Sequence, residues 1–301
     1  MFTELSIIIV NWNLKDDTIE CIESLLRARA SPRQLVIVDN GSTDGSITAI
    51  KQNYGNSINI IEAEQNRGYG TGVNLGIKYS LNQNFKWFLL LNNDTIVAED
   101  FIERLQRATQ DSKEYSILTP LILYYNNPTT IWYLGNRLIS KTLLTIDNYK
   151  NRQVDQNLPQ VIPIDFANGC AMMINRNIFE QIGFLDEFLF MYGEEVDFCW
   201  RARLAGFKFA CITSARIWHK ISKSSQNDQP LARYLRIRNQ IYFYQRYSHG
   251  MQKPAYILFT LFRTTYLCSF DLFKRRTSLF RPSLNGWLDG WFKKSVSKSG
   301  Y

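Results

Sequence analysis

The sequence predicts an α/β protein built on a largely parallel sheet. Three observations carry this. Short aliphatic and β-branched runs recur without polar alternation, as in strands buried on both faces. Segments of helical apolar spacing lie between them, and polar clusters stand directly after three of the runs. Leu5–Val10 is the first strand, and residues 16–29 form a helix through Ile19, Ile22, Leu25 and Leu26. Gln34–Val38 is the second strand; it runs into the polar turn Asp39–Gly45, with a helix from about Ser46. Ile58–Ile61 is the third strand, and a helix over 70–80 follows a glycine-rich loop. Trp87–Leu91 is the fourth strand and ends in Asn92-Asn93-Asp94. This β-α-β-α-β-α-β order implies parallel pairing with right-handed crossovers. Beyond residue 115 the pattern loosens. Strand-like pieces fall near 117–124, 131–134 and 161–174, then a helix over 194–205 and a strand over 207–212. Ser222–Pro230 reads as a polar loop, and 231–247 and 254–273 read as helices.

Composition narrows the class. The chain has 301 residues, 45% hydrophobic and 21% charged, which excludes disordered and collagen-like proteins. Cys21, Cys170, Cys199, Cys211 and Cys268 form no CxxC pair, so neither a disulfide scaffold nor a zinc or thioredoxin-like site is expected, and a reducing compartment is. The net charge of +8 is unevenly placed. Residues 1–228 hold 22 basic and 25 acidic side chains, a balance of −3, whereas 229–301 hold 13 and 2, a balance of +11. No basic flank precedes the first apolar strand, so no signal peptide is expected. Arg263 and Asp271 interrupt the most apolar stretch, 255–273, so no membrane span is expected either.

Ligands of open parallel α/β sheets bind beyond the carboxyl ends of the strands. That rule selects Asn11–Asn13, Asp39–Asp44 and Asn92–Asp94. Each alone is equally a turn or helix cap; three at successive strand ends favour a nucleotide or sugar site. The cluster Asn66-Arg67-Gly68-Tyr69-Gly70-Thr71-Gly72-Val73-Asn74-Leu75-Gly76 lacks the GxGxxG spacing, since Val73 and Leu75 stand where the last glycine is required. It permits close backbone approach to a diphosphate near Arg67, or tight helix packing. Asn92-Asn93-Asp94 offers one carboxylate and two amides, which suit Mg²⁺ or Mn²⁺ or, equally, a capped turn. In Gly193-Glu194-Glu195-Val196-Asp197, the acids complement a helix dipole. Their aromatic flanks, Phe188 to Tyr192 and Phe198 to Trp200, would also raise a carboxyl pKa toward that of a general base. His219 alone reads as structural.

Taken in order, these segments resemble the inverting family 2 glycosyltransferases of GT-A fold, in particular the rhamnosyltransferase-like branch, over roughly residues 4–250. Ser6–Asn13 resembles the opening strand and its loop, and Val36–Gly45 the nucleotide-binding turn. Asn66–Gly76 resembles the glycine-rich segment, Leu90–Thr95 the DxD region, and Phe184–Gly206 the acceptor-side segment with its acidic base. The resemblance implies a Rossmann-like mixed sheet with flanking helices. It implies that Asp39 contacts the donor base or ribose, with Asn11, Asn13, Asn40, Asp44, Asn66, Arg67, Gly68, Asn74, Asn92 and Asn93 around the donor. Asp94 becomes a ligand of Mg²⁺ or Mn²⁺, joined by His219. Glu195, where the family usually has Asp, becomes the general base. Asn168, Gly169, Tyr192, Glu194 and Trp200 fall on the acceptor side. Asn92 replaces the first Asp of DxD, so its donor contact becomes an amide hydrogen bond. Thr213–Pro230 is expected to order over the donor.

The implied reaction moves a sugar, rhamnose from dTDP-rhamnose by branch resemblance or a UDP-linked sugar, to a glycan or lipid-linked acceptor with inversion. Two domains are expected: a catalytic 1–230, divided at 115 into donor and acceptor halves, and a basic, aromatic-rich helical 231–301. Aromatics mixed with cations in the latter suit the headgroup region of an anionic membrane. The expected location is therefore cytoplasmic, on the inner face of the plasma membrane. A core-packing or dimer-forming helix is the alternative for that region; nucleic acid is not an expected partner. The rival functions are a nucleotidyltransferase, for which residues 10–20 supply only Lys15, and a non-catalytic membrane-associated sugar-nucleotide-binding protein.

Overall fold

A computed structural model describes residues 2–139, 142–221 and 229–294. In chain order its elements are β1 (Leu5–Asn11), α1 (Lys15–Arg27), β2 (Leu35–Asp39), α2 (Ser46–Tyr54), β3 (Asn59–Glu62), α3 (Tyr69–Leu81), β4 (Trp87–Asn92), β5 (Thr95–Val97) and α4 (Phe101–Asp111). Then follow β6 (Ile117–Tyr124), β7 (Asn127–Tyr133), β8 (Arg137–Leu138), β9 (Thr145–Ile146), β10 (Val161–Ile164), β11 (Ala171–Asn175), α5 (Arg176–Ile182) and α6 (Glu194–Leu204). Last come β12 (Phe209–His219), α7 (Pro230–Tyr247), α8 (Gln252–Phe273) and α9 (Phe280–Phe292).

The main sheet runs β10-β12-β6-β11-β4-β1-β2-β3, with β5 on β12 and β7 on β6. β1 pairs in parallel with both β2 and β4, as the apolar runs predict. β11 enters antiparallel between β4 and β6, which makes the sheet mixed. Alternate residues of β1 serve opposite cores. Ile7 and Ile9 pack with α1, α2 and α4, through Ile22, Ile50 and Phe101. Ile8 and Val10 pack with α3, α5 and α6, through Ile77, Ile178 and Phe198. Each such aliphatic side chain contributes roughly 1.5–3 kcal/mol on burial.

The structure revises several expectations. The strand-like stretch 161–174 divides into β10 and β11, because residues 165–170 turn away carrying Asn168 and Gly169. The strand expected over 207–212 runs on to His219, through a register shift between Ile212 and Arg216. Thr213–His219 is therefore strand rather than loop, and 222–228, expected to order over the donor, lies outside the described residues. α4, α5 and α9 are additional helices. α9 buries Pro282, Ser283, Gly286 and Gly290, with Gly286 and Gly290 against α7, a set of small residues with no large-apolar period to detect. All five cysteines are free and buried, in keeping with the absence of a disulfide scaffold. Among the described residues no helix is long and apolar enough to cross a membrane.

Candidate active site

The ends of β1, β2 and β4 meet one cavity of about 610 Å³. The first layer beneath it is a hydrogen-bonded frame. Asp39 Oδ1 accepts from Asn11 Nδ2 at 2.8 Å and Ser42 Oγ at 2.5 Å, and Oδ2 from the Ser42 amide at 3.0 Å. Asn13 Oδ1 accepts from the Thr43 amide. Asp44 accepts from Lys15 and Ser46; burial raises its pKa, but these hydrogen bonds outweigh it and hold the carboxyl below its ordinary value. Asn40 donates to Asn66 Oδ1 and to the Gly68 carbonyl, tying the β2 turn to the glycine-rich segment. Gly68 has φ +95°, and a Cβ there would collide with the Phe190 backbone. Gly72 and Gly76 pack α3 directly onto Val10 and Ile8. The glycines thus serve close packing of backbone on backbone and of helix on strand.

Asp94 and His219 share one wall. β5 pairs antiparallel with β12, setting Thr95 opposite His219, and His219 Nε2 lies 3.1 Å from Asp94 Oδ1. The Trp132 ring stands edge-on to the imidazole at 4.5 Å. Burial works against the imidazolium, but Cys170 and the Asp94 carboxylate raise its pKa, to about 10. His219 Nδ1 is buried without a hydrogen-bond partner. One carboxylate, one imidazole and the adjoining amides fit a hard divalent cation whose remaining ligands are donor phosphates and water. Among the described residues no group of three His, Cys, Asp or Glu side chains supplies a closed metal cage. A cation here would displace the imidazole proton, so its uptake would fall at low pH.

The start of α6 forms another part of the wall. Glu195 Oε2 accepts from the Gly193 amide at 3.1 Å. Burial raises the Glu195 pKa, while backbone donors and the Arg236 guanidinium pull against it. Glu194 is raised well above the ordinary carboxyl value by burial and then by the charge of Glu195, and its Oε2 has no hydrogen-bond partner. The segment leading into these acids is pinned from two sides. The Tyr69 amide donates to the Phe190 carbonyl at 2.7 Å. From α7, Asn239 Nδ2 lies within donating distance of the Leu189, Met191 and Tyr192 carbonyls, at 2.9, 2.8 and 2.6 Å. Arg238, fully buried, donates to the Phe188 carbonyl and lies 4.4 Å over its ring. Phe190 and Tyr192 both have positive φ, a strained backbone these contacts hold in place.

The family model described as Glycosyl transferase family 2 matches residues 6–183, more than half of the chain. The chain belongs to glycosyl transferase family 2. A curated relative, the low-salt glycan biosynthesis hexosyltransferase Agl10 of Haloferax volcanii, is 29% identical over 96% of this chain and 92% of its own length. The N-acetylglucosaminyl-diphospho-decaprenol L-rhamnosyltransferase of Mycobacterium tuberculosis is 27% identical over 69% of this chain and 73% of its own. Among solved structures, GalNAc-T7 with UDP, GalNAc and Mn²⁺ superposes with a TM-score of 0.59 at 14% identity, over 80% of this chain and 49% of that one. The last likeness shows a shared GT-A fold.

In this family 2 glycosyltransferase the cavity brings together Asn40, Asn66, Asn92, Asn93, Asp94, Asn168, Gly169, Tyr192, Glu194, Glu195 and His219. Asn11, Asn13, Asp39, Asp44, Arg67, Gly68, Asn74 and Trp200 are not on its wall. Asn74 instead holds α3 to the Leu185 backbone and Glu187, and Trp200 stacks on Phe166 and meets Phe243 edge-on. The wall also holds Trp12 and Tyr69, which lie inside marked motifs but were given no role, and Trp132, Lys150 and Arg236, which no motif marked. Arg236 lies 4.4 Å over the Tyr192 ring. Its only sequence signal was membership of the basic C-terminal quarter.

Proposed function

We propose that this cavity moves a sugar from a nucleotide-sugar to an acceptor hydroxyl in one inverting displacement, with Glu195 as general base. The observation that carries the reading is that Glu195 and the Asp94–His219 pair line the same cavity. Glu195 takes the proton of the acceptor hydroxyl as its oxygen attacks the anomeric carbon. The bond from that carbon to the donor diphosphate breaks, and its electron pair leaves with the nucleoside diphosphate. Burial supports the base role by raising the Glu195 pKa. Asp94 and His219 would hold Mg²⁺ or Mn²⁺, which when bound neutralises charge on the departing diphosphate. Asn40 and Asn66 face the donor, on the frame set by Asn11 and Asp39, and Asn92 and Asn93 offer amide contacts to it. Asn168, Gly169 and Tyr192 border the acceptor path.

At the finer level, we infer dTDP-rhamnose as the donor, with UDP-sugars the alternative, and a glycan or lipid-linked glycan as the acceptor. The named activity of the mycobacterial relative supports rhamnose as the sugar and a lipid-linked glycan as the acceptor. An acceptor carried on a lipid would place the enzyme at the inner face of the plasma membrane. The test is release of nucleoside diphosphate from dTDP-rhamnose and UDP-sugars with Mn²⁺ and acceptor. Glu195→Gln should lower the rate about 10²–10⁴-fold with donor binding retained. Equal rates in the two proteins would remove Glu195 from the base role.

A further inference from the structure

α8 buries its polar side and exposes its apolar one. The buried stripe is Tyr256, Thr260, Thr264, Cys268 and Asp271, three or four residues apart. The outward side carries Leu258, Phe262, Tyr266, Leu272 and Phe273, with Phe262 74% and Phe273 80% exposed. Phe292, near the end of α9, is exposed as well. A contiguous apolar surface of this kind marks a contact site. At 22 residues α8 is about 33 Å long. Among the described residues no helix meets the requirements for crossing a membrane, so a helix lying along an interface is the geometry left.

The charges identify the occupant. Both acids of residues 229–294 are engaged inward. Asp271 is buried and pairs with Arg233 at 2.8 Å. Asp289 accepts from Tyr234 Oη at 3.0 Å and lies 3.8 Å from Lys294. Exposed ionic groups on α8 and the turn after it are cations: Lys253, Arg263, Lys274, Arg275 and Arg276. A second copy of this surface would set those cations against like charges.

We propose that the outward face of α8, with the end of α9, docks on a bilayer carrying anionic headgroups. The aromatic and aliphatic side chains enter the headgroup–acyl boundary and the cations meet lipid phosphate. The docked face is joined to the cavity. Gly286 and Gly290 let α9 sit directly on α7. Arg238 of α7 donates both to the Lys294 carbonyl and to the Phe188 carbonyl of the segment before Glu195.

Co-sedimentation of the full chain with vesicles tests this, comparing phosphatidylcholine alone with phosphatidylcholine containing phosphatidylglycerol. Wild type should partition onto the anionic vesicles at least about tenfold better. The Phe262→Asp/Phe273→Asp variant should lose about tenfold or more of that partitioning. Lys274→Gln/Arg275→Gln/Arg276→Gln should remove most of the anionic preference, up to roughly hundredfold for three cations. Unchanged melting curves would show that both variants fold. Wild type that ignores vesicle charge, or an aspartate variant that sediments like wild type, overturns the proposal. So does a concentration-dependent dimer, by light scattering, that the aspartate variant dissociates, because the face would then be a self-interface.

Discussion

At the scale of single residues, the site places two carboxyls side by side in a buried wall, and they differ in what holds them. Glu195 has a backbone donor from Gly193, whereas Glu194 Oε2 has none. Burial and the neighbouring charge raise the Glu194 pKa in the folded chain. The fold therefore keeps a proton that the unfolded chain gives up, and this raised group favours folding at low pH. That contribution is lost as pH rises from the ordinary carboxyl value through the raised one. Glu194→Gln should match wild type in stability near pH 4 and exceed it near pH 8. Urea unfolding at the two pH values reads this directly, and a variant less stable at the higher pH would contradict the buried-acid account. Asp94 and Glu195 stood out by local chemistry, one directly after a strand and one at the opening of a helix, whereas His219 alone read as structural and entered only through the family resemblance. Asp39 was visible too, but its oxygens are taken by Asn11 and Ser42, a partnership that only the fold reveals. Arg236, Lys150 and Trp132 come from segments far apart in sequence and share no spacing that marks them.

At the scale of elements, the sequence conveyed the parallel half well. Buried strands such as β1 are uniformly apolar, and periodicity separates them from the helices between. α4 was present in the pattern through Phe101, Ile102, Leu105 and Ala108 and went unread. α9 was not readable in that way, since its packing face is glycine, serine and proline. β11 lay within the expected strand-like stretch 161–174, but its antiparallel direction was hidden, because pairing direction leaves little trace in an apolar run. α7 shows what helices outside the sheet contribute. The two N–H groups of Asn239 Nδ2 lie within reach of three carbonyls of the segment ahead of Glu195. Asn239→Ala should lower kcat about 10–100-fold while leaving the donor KM near wild type, because the proposed donor side at Asn40 and Asn66 is held by other contacts. The same change should cost roughly 1–3 kcal/mol of stability through unpaired carbonyls. An equal rise in donor KM with kcat unchanged would show that α7 does not position the base.

At the scale of the whole molecule, the uneven charge of the sequence resolves into three uses. Residues 1–228, at −3, build the sheet and most of the cavity. Within the +11 of 229–301, Arg233 is neutralised by Asp271, Arg238 is buried in the core, and Arg236 reaches the cavity. Arg246 pairs with Asp186 and Asp197, and exposed Lys253, Arg263, Lys274, Arg275 and Arg276 lie on α8 and the turn after it. Net charge reports composition, and only packing tells which cations are structural and which face outward. The parts of this molecule converge on one claim, that an acceptor hydroxyl deprotonated at Glu195 displaces a nucleoside diphosphate in a single step. The most direct measurement is the anomeric configuration of the newly formed linkage, read by NMR on product made from a donor of known configuration. The account predicts inversion; a product that retains the donor's configuration would contradict it.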